Sequence, residues 1–241
     1  MKNIKSLLLI ITFFTIGSTV TAQKNKRISF QVSPLYSYLD IQYKKYAFRN
    51  NYGIEDPQSG ISSAVKFEVE LNNLLSVSTG LSYERRKNYY ETGMLYDTIK
   101  TTMLGDPSPY KYTSSRTYDF IGIPIALHFN YLNNSKLRIY QTFGTQFSFL
   151  VSAQDQGVLY YEKGVDINFK RNDIDNKTDV IISLSSSIGL CKYITERVAF
   201  KIEPGINYMA TNFLESDWAK RKYFDFKVDV GIVYNLKNNK D

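Results

Sequence analysis

The sequence holds one cysteine and one histidine in 241 residues, and each scarcity removes a class of protein from consideration. A lone cysteine, Cys191, excludes an internal disulfide, so an exported chain of this composition must be held together by other means. Cys191 falls inside a strand pattern and reads as a packing residue. With His128 as the only histidine there is no His-x-x-x-His pair, and neither paired cysteines nor a glycine-rich phosphate cradle takes its place. No metal or other cofactor is therefore expected. The 6 prolines and 13 glycines are dispersed, and no Pro-, Gly- or Ser-rich linker divides the chain. After residue 22 no run is apolar enough for a membrane-crossing helix, which needs ~20 such residues.

What is present begins with a leader. Lys2 and Lys5 precede an apolar run from Leu7 to Ile16, and small or polar residues follow as far as Ala22. That order is the one of a secretory signal peptide. Val20 and Ala22 stand where a signal peptidase reads, so residues 1–22 are expected to be removed and residues 23–241 to form one domain beginning at Gln23. Gln23 and not a cysteine stands directly after the cut, which excludes a lipoprotein. Losing the leader removes two lysines and no acid, so the net charge falls from +7 to +5. An excess of that size does not mark a nucleic-acid partner, and none is expected. Aromatic residues make up 15% of the chain, with 20 Tyr against 15 Phe, while mean hydropathy is only −0.30. Abundant amphipathic rings in a chain of modest hydrophobicity suit a surface that meets a membrane interface.

Eight segments alternate with period two. The first sets Ile28, Phe30, Val32, Tyr36 and Tyr38 against Ser29, Gln31, Ser33 and Ser37. The second and third set Ile61, Val65, Phe67 and Val69 against Ala64, Lys66, Glu68 and Glu70, and Leu75, Val77, Leu81 and Tyr83 against Ser76, Ser78, Gly80 and Glu84. The fourth opposes Ile121, Ile123, Ile125, Leu127 and Phe129 to Gly122, Pro124, Ala126 and His128. The fifth and sixth oppose Phe143, Phe147 and Phe149 to Arg138, Tyr140 and Gly144, and Ile182, Leu184, Ile188 and Leu190 to Ser183, Ser185, Ser187 and Gly189. The last two oppose Phe200, Ile202 and Ile206 to Lys201, Glu203 and Gly205, and Phe224, Phe226, Val228, Val230 and Ile232 to Asp225, Lys227 and Asp229.

The connections also alternate. Tight turns at Asn72-Asn73, Asn133 to Lys136 and Thr195-Glu196 follow the second, fourth and sixth segments, and much longer stretches follow the odd ones. Outer-membrane barrels carry short periplasmic turns and long external loops in this manner, and an even strand count returns both termini to the periplasm. A soluble barrel of the lipocalin kind shares the alternation with the opposite facing. The polar face here is rich in Ser, Gly and Ala, which suits a crowded interior better than a solvated exterior. The expected fold is all-β, an eight-stranded antiparallel up-and-down transmembrane β-barrel located in the outer membrane. Pro34, Pro124 and Pro204 lie inside segments, where each removes a ladder hydrogen bond, so bulges are expected there. Tyr234 near the end of the chain is the candidate assembly aromatic.

The stretch Tyr118-Asp119-Phe120-Ile121-Gly122-Ile123-Pro124-Ile125-Ala126-Leu127-His128-Phe129 resembles a recurrent strand of the PorT-like outer-membrane β-barrel family, in which an aromatic, an acid, Ile-Pro and an apolar run follow in order. Ile123-Pro124 and the run after it match, whereas the family's acid falls on Gly122. The resemblance implies a barrel of this class and no defined activity.

If the polar faces point inward, the lumen collects Lys66, Glu68, Glu70, Glu84, Arg86, Arg138, Lys201, Glu203, Asp225, Lys227 and Asp229. Eight strands leave room only for side chains, so this nearly balanced set is expected to form a paired plug without a channel. His128 is expected to be packed or hydrogen-bonded and not catalytic, and no enzyme activity is anticipated. The candidate lipopolysaccharide contacts are the cations Lys44, Lys45, Arg85, Arg86, Lys87, Lys220, Arg221 and Lys222, with Tyr43, Tyr46, Tyr89, Tyr90 and Tyr223 beside them as interface anchors. Arg86 thus has two assignments, the lumen by parity and the rim by its place in a basic run. The leading expectation is a structural or interaction protein that meets outer-membrane lipid around its wall and a partner through its external loops, especially residues 89–116 and 152–178. An outer-leaflet lipid-modifying or proteolytic barrel enzyme and a soluble ligand-binding barrel remain alternatives at this point.

Overall fold

The computed structural model describes residues 25–43, 54–55, 58–93, 111–161, 166–172, 180–215 and 219–236. Eleven strands are formed: β1 (Lys26–Tyr43), β2 (Ile54–Glu55), β3 (Gln58–Glu70), β4 (Leu75–Gly93), β5 (Lys111–Asn133), β6 (Leu137–Tyr160), β7 (Ile167–Arg171), β8 (Val180–Tyr193), β9 (Val198–Met209), β10 (Leu214–Glu215) and β11 (Ala219–Leu236). Eight of them follow one another around a ring, β1-β3-β4-β5-β6-β8-β9-β11, and β11 pairs back onto β1 to close it. Every neighbouring pair is antiparallel. The closing ladder runs from Lys26 opposite Leu236 to Tyr43 opposite Ala219. Strands β2, β7 and β10 are short additions that pair with β4, β6 and β11.

The three tight turns are fixed by side chains that cap their own backbone. Asn72 Oδ1 accepts from the amides of Leu74 (2.9 Å) and Leu75 (2.8 Å), and Asn134 Oδ1 accepts from Lys136 (3.0 Å) and Leu137 (2.8 Å). Thr195 Oγ1 does the same for Val198 at 3.0 Å. Asn and Thr are favoured here because a short polar side chain can stand in for a missing backbone partner. The two ends of the ring are therefore unlike: one carries these turns and both ends of the described chain, the other carries the long connections.

The facing settles the choice between a membrane barrel and a soluble one. Leu184 is 53% and Phe226 56% exposed, whereas Arg138 is 1% and Asp225 0% exposed. A soluble barrel would bury the first pair and solvate the second. On β5 the outward residues from Ile121 to Tyr131 form an apolar stripe about 33 Å long at ~3.3 Å per residue, which a tilt of ~40° reduces to about the 25 Å of a membrane-facing band.

Two expectations are corrected. The three prolines produce no bulge: the register is the same on both sides of each, and only one of its two ladders skips residue pairs. For Pro34 this is the ladder to β11, for Pro124 the one to β4, and for Pro204 the one to β8. A proline lacks a single N–H and so weakens one neighbour while the other ladder holds the alignment. The register shifts lie elsewhere, between Asp119 and Phe120 and between Asn130 and Leu132, where Val151 and Tyr131 are the unpaired extra residues. Second, much of residues 89–116 and 152–178 is strand and not loop. β4, β5 and β6 run for 19, 23 and 24 residues, about twice what crossing the bilayer requires. Above the apolar band both sheet faces are polar, so no alternation announces these extensions.

Leu184→Arg places a charge on the lipid face, at a cost of about 2–4 kcal/mol near the bilayer midplane. It is expected to lower sharply the folded fraction recovered in lipid bilayers, measured by heat-modifiable gel migration. Ser62→Asn, half-buried on the inward side, is expected to change that fraction little.

Candidate functional site in the lumen and at its rim

The lumen is built from long charged side chains interleaved with small residues on neighbouring strands. Gly189 illustrates the fit: a Cβ there would lie 2.1 Å from the Tyr140 ring, so only glycine lets that ring cross toward β9. Nearest the turn end, Arg27 bridges Glu68 (2.9 Å) and Glu70 (2.7 Å). Arg138 shares Glu68 at 2.7 Å, donates to Asn130 and Ser76, and lies 4.3 Å over the Tyr140 ring. Arg27 was not among the lumen charges recognised in the sequence, although it shares the inward parity of Ser29 and Gln31. With it, six bases face six acids between the turn end and the level of Arg86 and Asp225, and Arg116 with Asp155 adds a further pair beyond them at 3.4 Å.

Midway along the barrel, Glu203 accepts from Lys201 (2.7 Å), Tyr140 Oη (2.9 Å) and Ser187. Asp229 accepts from Gln31 (3.0 Å), Lys227 (3.3 Å) and Ser33. Lys66 is buried beside this group. His128 lies between Ser78 (2.8 Å) and Thr142 (2.9 Å), with its ring edge-on to Tyr140 at 5.4 Å. It is a packed, hydrogen-bonded histidine with no carboxylate in contact among the described residues. Nor do the described residues contain a cluster of three His, Cys, Asp or Glu side chains arranged for a metal.

Toward the loop end, Arg86 makes a two-pronged pair with Asp225 (2.6 and 2.7 Å) and also contacts Glu84 and Ser37, while Asn207 donates to Asp225. Above this pair the chemistry changes. Tyr118, Phe120, Ala153, Ile181, Met209, Phe213 and Tyr223 form a buried apolar cap. Its centre is Phe213, which the connection after β9 inserts edge-on to Tyr118 at 4.6 Å and tilted against Tyr223 at 5.4 Å. No periodicity marks Phe213, because it belongs to a loop. The bulge at Val151 contributes too, since it turns both Leu150 and Ala153 toward the cap.

The rim differs from expectation at two residues. Arg86 is buried in the lumen and is not a lipid contact, because parity outweighs its place in a basic run. Tyr223 likewise points inward, into the cap, and is no interface anchor. Arg85 is outward and 54% exposed, but Asp119 neutralises it at 2.7 Å with Tyr83 Oη donating to the same carboxylate. Lys87 is exposed on the same outer face. Lys222 crosses the Tyr208 ring at 5.6 Å, and Lys220 shares its parity. Tyr89 is exposed as expected. Lys44, Lys45 and Tyr46 lie outside the described residues, as do the side chains of Tyr43, Tyr90 and Arg221.

The Arg86–Asp225 pair gives a direct test of the plug. Asp225→Ala leaves a buried guanidinium without its main partner and is expected to cost about 3–5 kcal/mol, read as an earlier urea midpoint. The triple change Arg86→Met, Asp225→Leu and Glu84→Gln removes the guanidinium and both carboxylates that it pairs, and is expected to recover most of that loss.

Among solved structures, OprG from Pseudomonas aeruginosa is similar at 11% identity and a TM-score of 0.47, over 89% of this chain and 97% of that one. Neisserial surface protein A is similar at 13% identity and a TM-score of 0.42, over 87% and 97%. Ail of Yersinia pestis is similar at 12% identity and a TM-score of 0.37, over 89% and 100%. No curated protein matches by sequence. The family model described as outer membrane protein beta-barrel domain matches residues 21–240, and the chain therefore belongs to the outer membrane protein beta-barrel family.

Proposed function

We propose that this protein is a sealed, non-enzymatic outer-membrane barrel that acts through its outer wall and through the sheet that projects beyond the membrane. The observation that carries this reading is the double closure of the lumen. Paired bases and acids fill the interior below the Phe213 cap, and the described residues leave a solute no route through. The parts left to interact are the extensions of β4, β5 and β6 above the apolar band.

In this reading residues 1–22 are a cleaved leader, both ends of the mature chain lie in the periplasm, and the long connections face outward. The Ile123-Pro124 strand motif favours kinship with the PorT-like branch of the family. Lys87, Lys220 and Lys222, with Tyr36, Tyr38 and Tyr208 nearby on the outer wall, supply cations and interfacial rings for lipopolysaccharide phosphates. Arg85 contributes less because Asp119 already holds it.

Reconstitution in planar bilayers tests the sealed lumen. Wild-type protein is expected to give no stable single-channel steps of porin size. Large, long-lived steps from the wild type would contradict the reading.

A further inference from the structure

Above the apolar band the outer faces of β4, β5, β6 and β7 form a shallow groove of about 370 Å³, within the ~300–1,000 Å³ range of small-ligand sites. Its floor follows from strand register. Tyr89, Ser115, Gln156 and Lys170 are successive cross-strand partners in one row. Thr113, Val158 and Asn168 are partners in the next. Cross-strand partners share a sheet face, so these side chains present one surface about 14 Å wide at ~4.8 Å per strand.

The chemistry of that surface is selective. Tyr89 is 44% exposed, and its hydroxyl donates to Glu91 at 3.3 Å, which orients the ring. Glu91 is in turn neutralised by Lys111 at 2.8 Å. The side chains of Ser115, Gln156, Asn168 and Lys170 are at least partly exposed and make no hydrogen bond to any described residue, so their donors and acceptors are available to a ligand. One flat ring beside hydroxyls, amides and a single ammonium matches a sugar, whose C–H face stacks on an aromatic while its hydroxyls bond around the edge. A phosphate would call for several converging cations, and here only Lys170 is free of an acid. An extended peptide would add alongside an open strand edge, whereas the floor of this groove is a sheet face in which β5 and β6 are paired on both sides. Ser115 stands six residues above Ile121, about 20 Å along the strand, at the level of the headgroup sugars if the loop end faces outward.

We infer that this groove binds a saccharide of the surrounding lipopolysaccharide, with Tyr89 stacking on the sugar ring and Gln156, Asn168 and Lys170 bonding its hydroxyls. The inference rests on the outward orientation proposed above only for the source of the sugar. The test titrates core oligosaccharide, released from lipopolysaccharide by mild acid and free of lipid A, into protein held in phosphatidylcholine nanodiscs. Binding is read by saturation-transfer NMR and calorimetry. Both barrel ends are accessible in a nanodisc, so the result does not depend on orientation, which protease shaving of intact cells reads separately. Wild-type protein is expected to bind. Tyr89→Ala is expected to weaken binding at least about tenfold, Gln156→Ala to weaken it less, and Tyr89→Phe to retain it, all with unchanged heat-modifiable migration. Lys87→Ala is expected to leave oligosaccharide binding intact while reducing binding to lipid A vesicles, so a rim failure and a groove failure are distinguishable. No binding at millimolar oligosaccharide, equal binding by Tyr89→Ala, or full competition by inorganic phosphate would each overturn the inference.

Discussion

Hydrocarbon offers no partner to an exposed peptide group, and the closure of β11 onto β1 is the answer on which the rest of this structure depends. Without that ladder two strands would leave a row of unpaired N–H and C=O groups facing lipid, each costing several kcal/mol. Closure also explains why the prolines are tolerated. Each interrupts one ladder over a short stretch, and the other ladder keeps the strand in register. The cost falls on single amide groups and does not propagate around the ring.

A ring of eight strands encloses little volume, and that constraint shapes the interior. Small residues such as Gly189 make space for the arginines, lysines and tyrosines of neighbouring strands. Once out of water those charges must be matched, which accounts for Arg86 with Asp225, Arg138 with Glu68 and Lys201 with Glu203. The apolar cap changes the medium again near the loop end. Phe213 sits at the centre of that cap, so the stopper is one loop side chain packed among residues of the wall.

The sequence was legible where the bilayer imposes a rule. Period-two alternation identified all eight barrel strands and their facing, because hydrocarbon demands an apolar residue at nearly every outward position. Asn72, Asn134 and Thr195 were legible as turns because their side chains cap backbone amides. Beyond the apolar band the rule lapses: Thr113, Ser115 and Gln156 are strand residues that read as loop. The bulge at Val151 switches the inward parity of β6 from even numbers such as Arg138 and Ser148 to Ala153 and Asp155, which no local pattern foretells. Arg86 could have been assigned from parity alone, and its basic neighbours were the misleading signal. Phe213 carried no signal, since its role comes from tertiary packing.

The central claim is that apolar side chains face lipid while polar ones face a sealed interior. Nitroxide labels placed singly at Leu184, Ser187 and Ile188, in a Cys191→Ser background reconstituted in bilayers, test it most directly. Lipid-soluble oxygen should reach the labels at Leu184 and Ile188 far more readily than the one at Ser187, and a polar nickel chelate should reach none of the three well. Greater oxygen access at Ser187, or free access of the chelate to Leu184 and Ile188, would contradict the account.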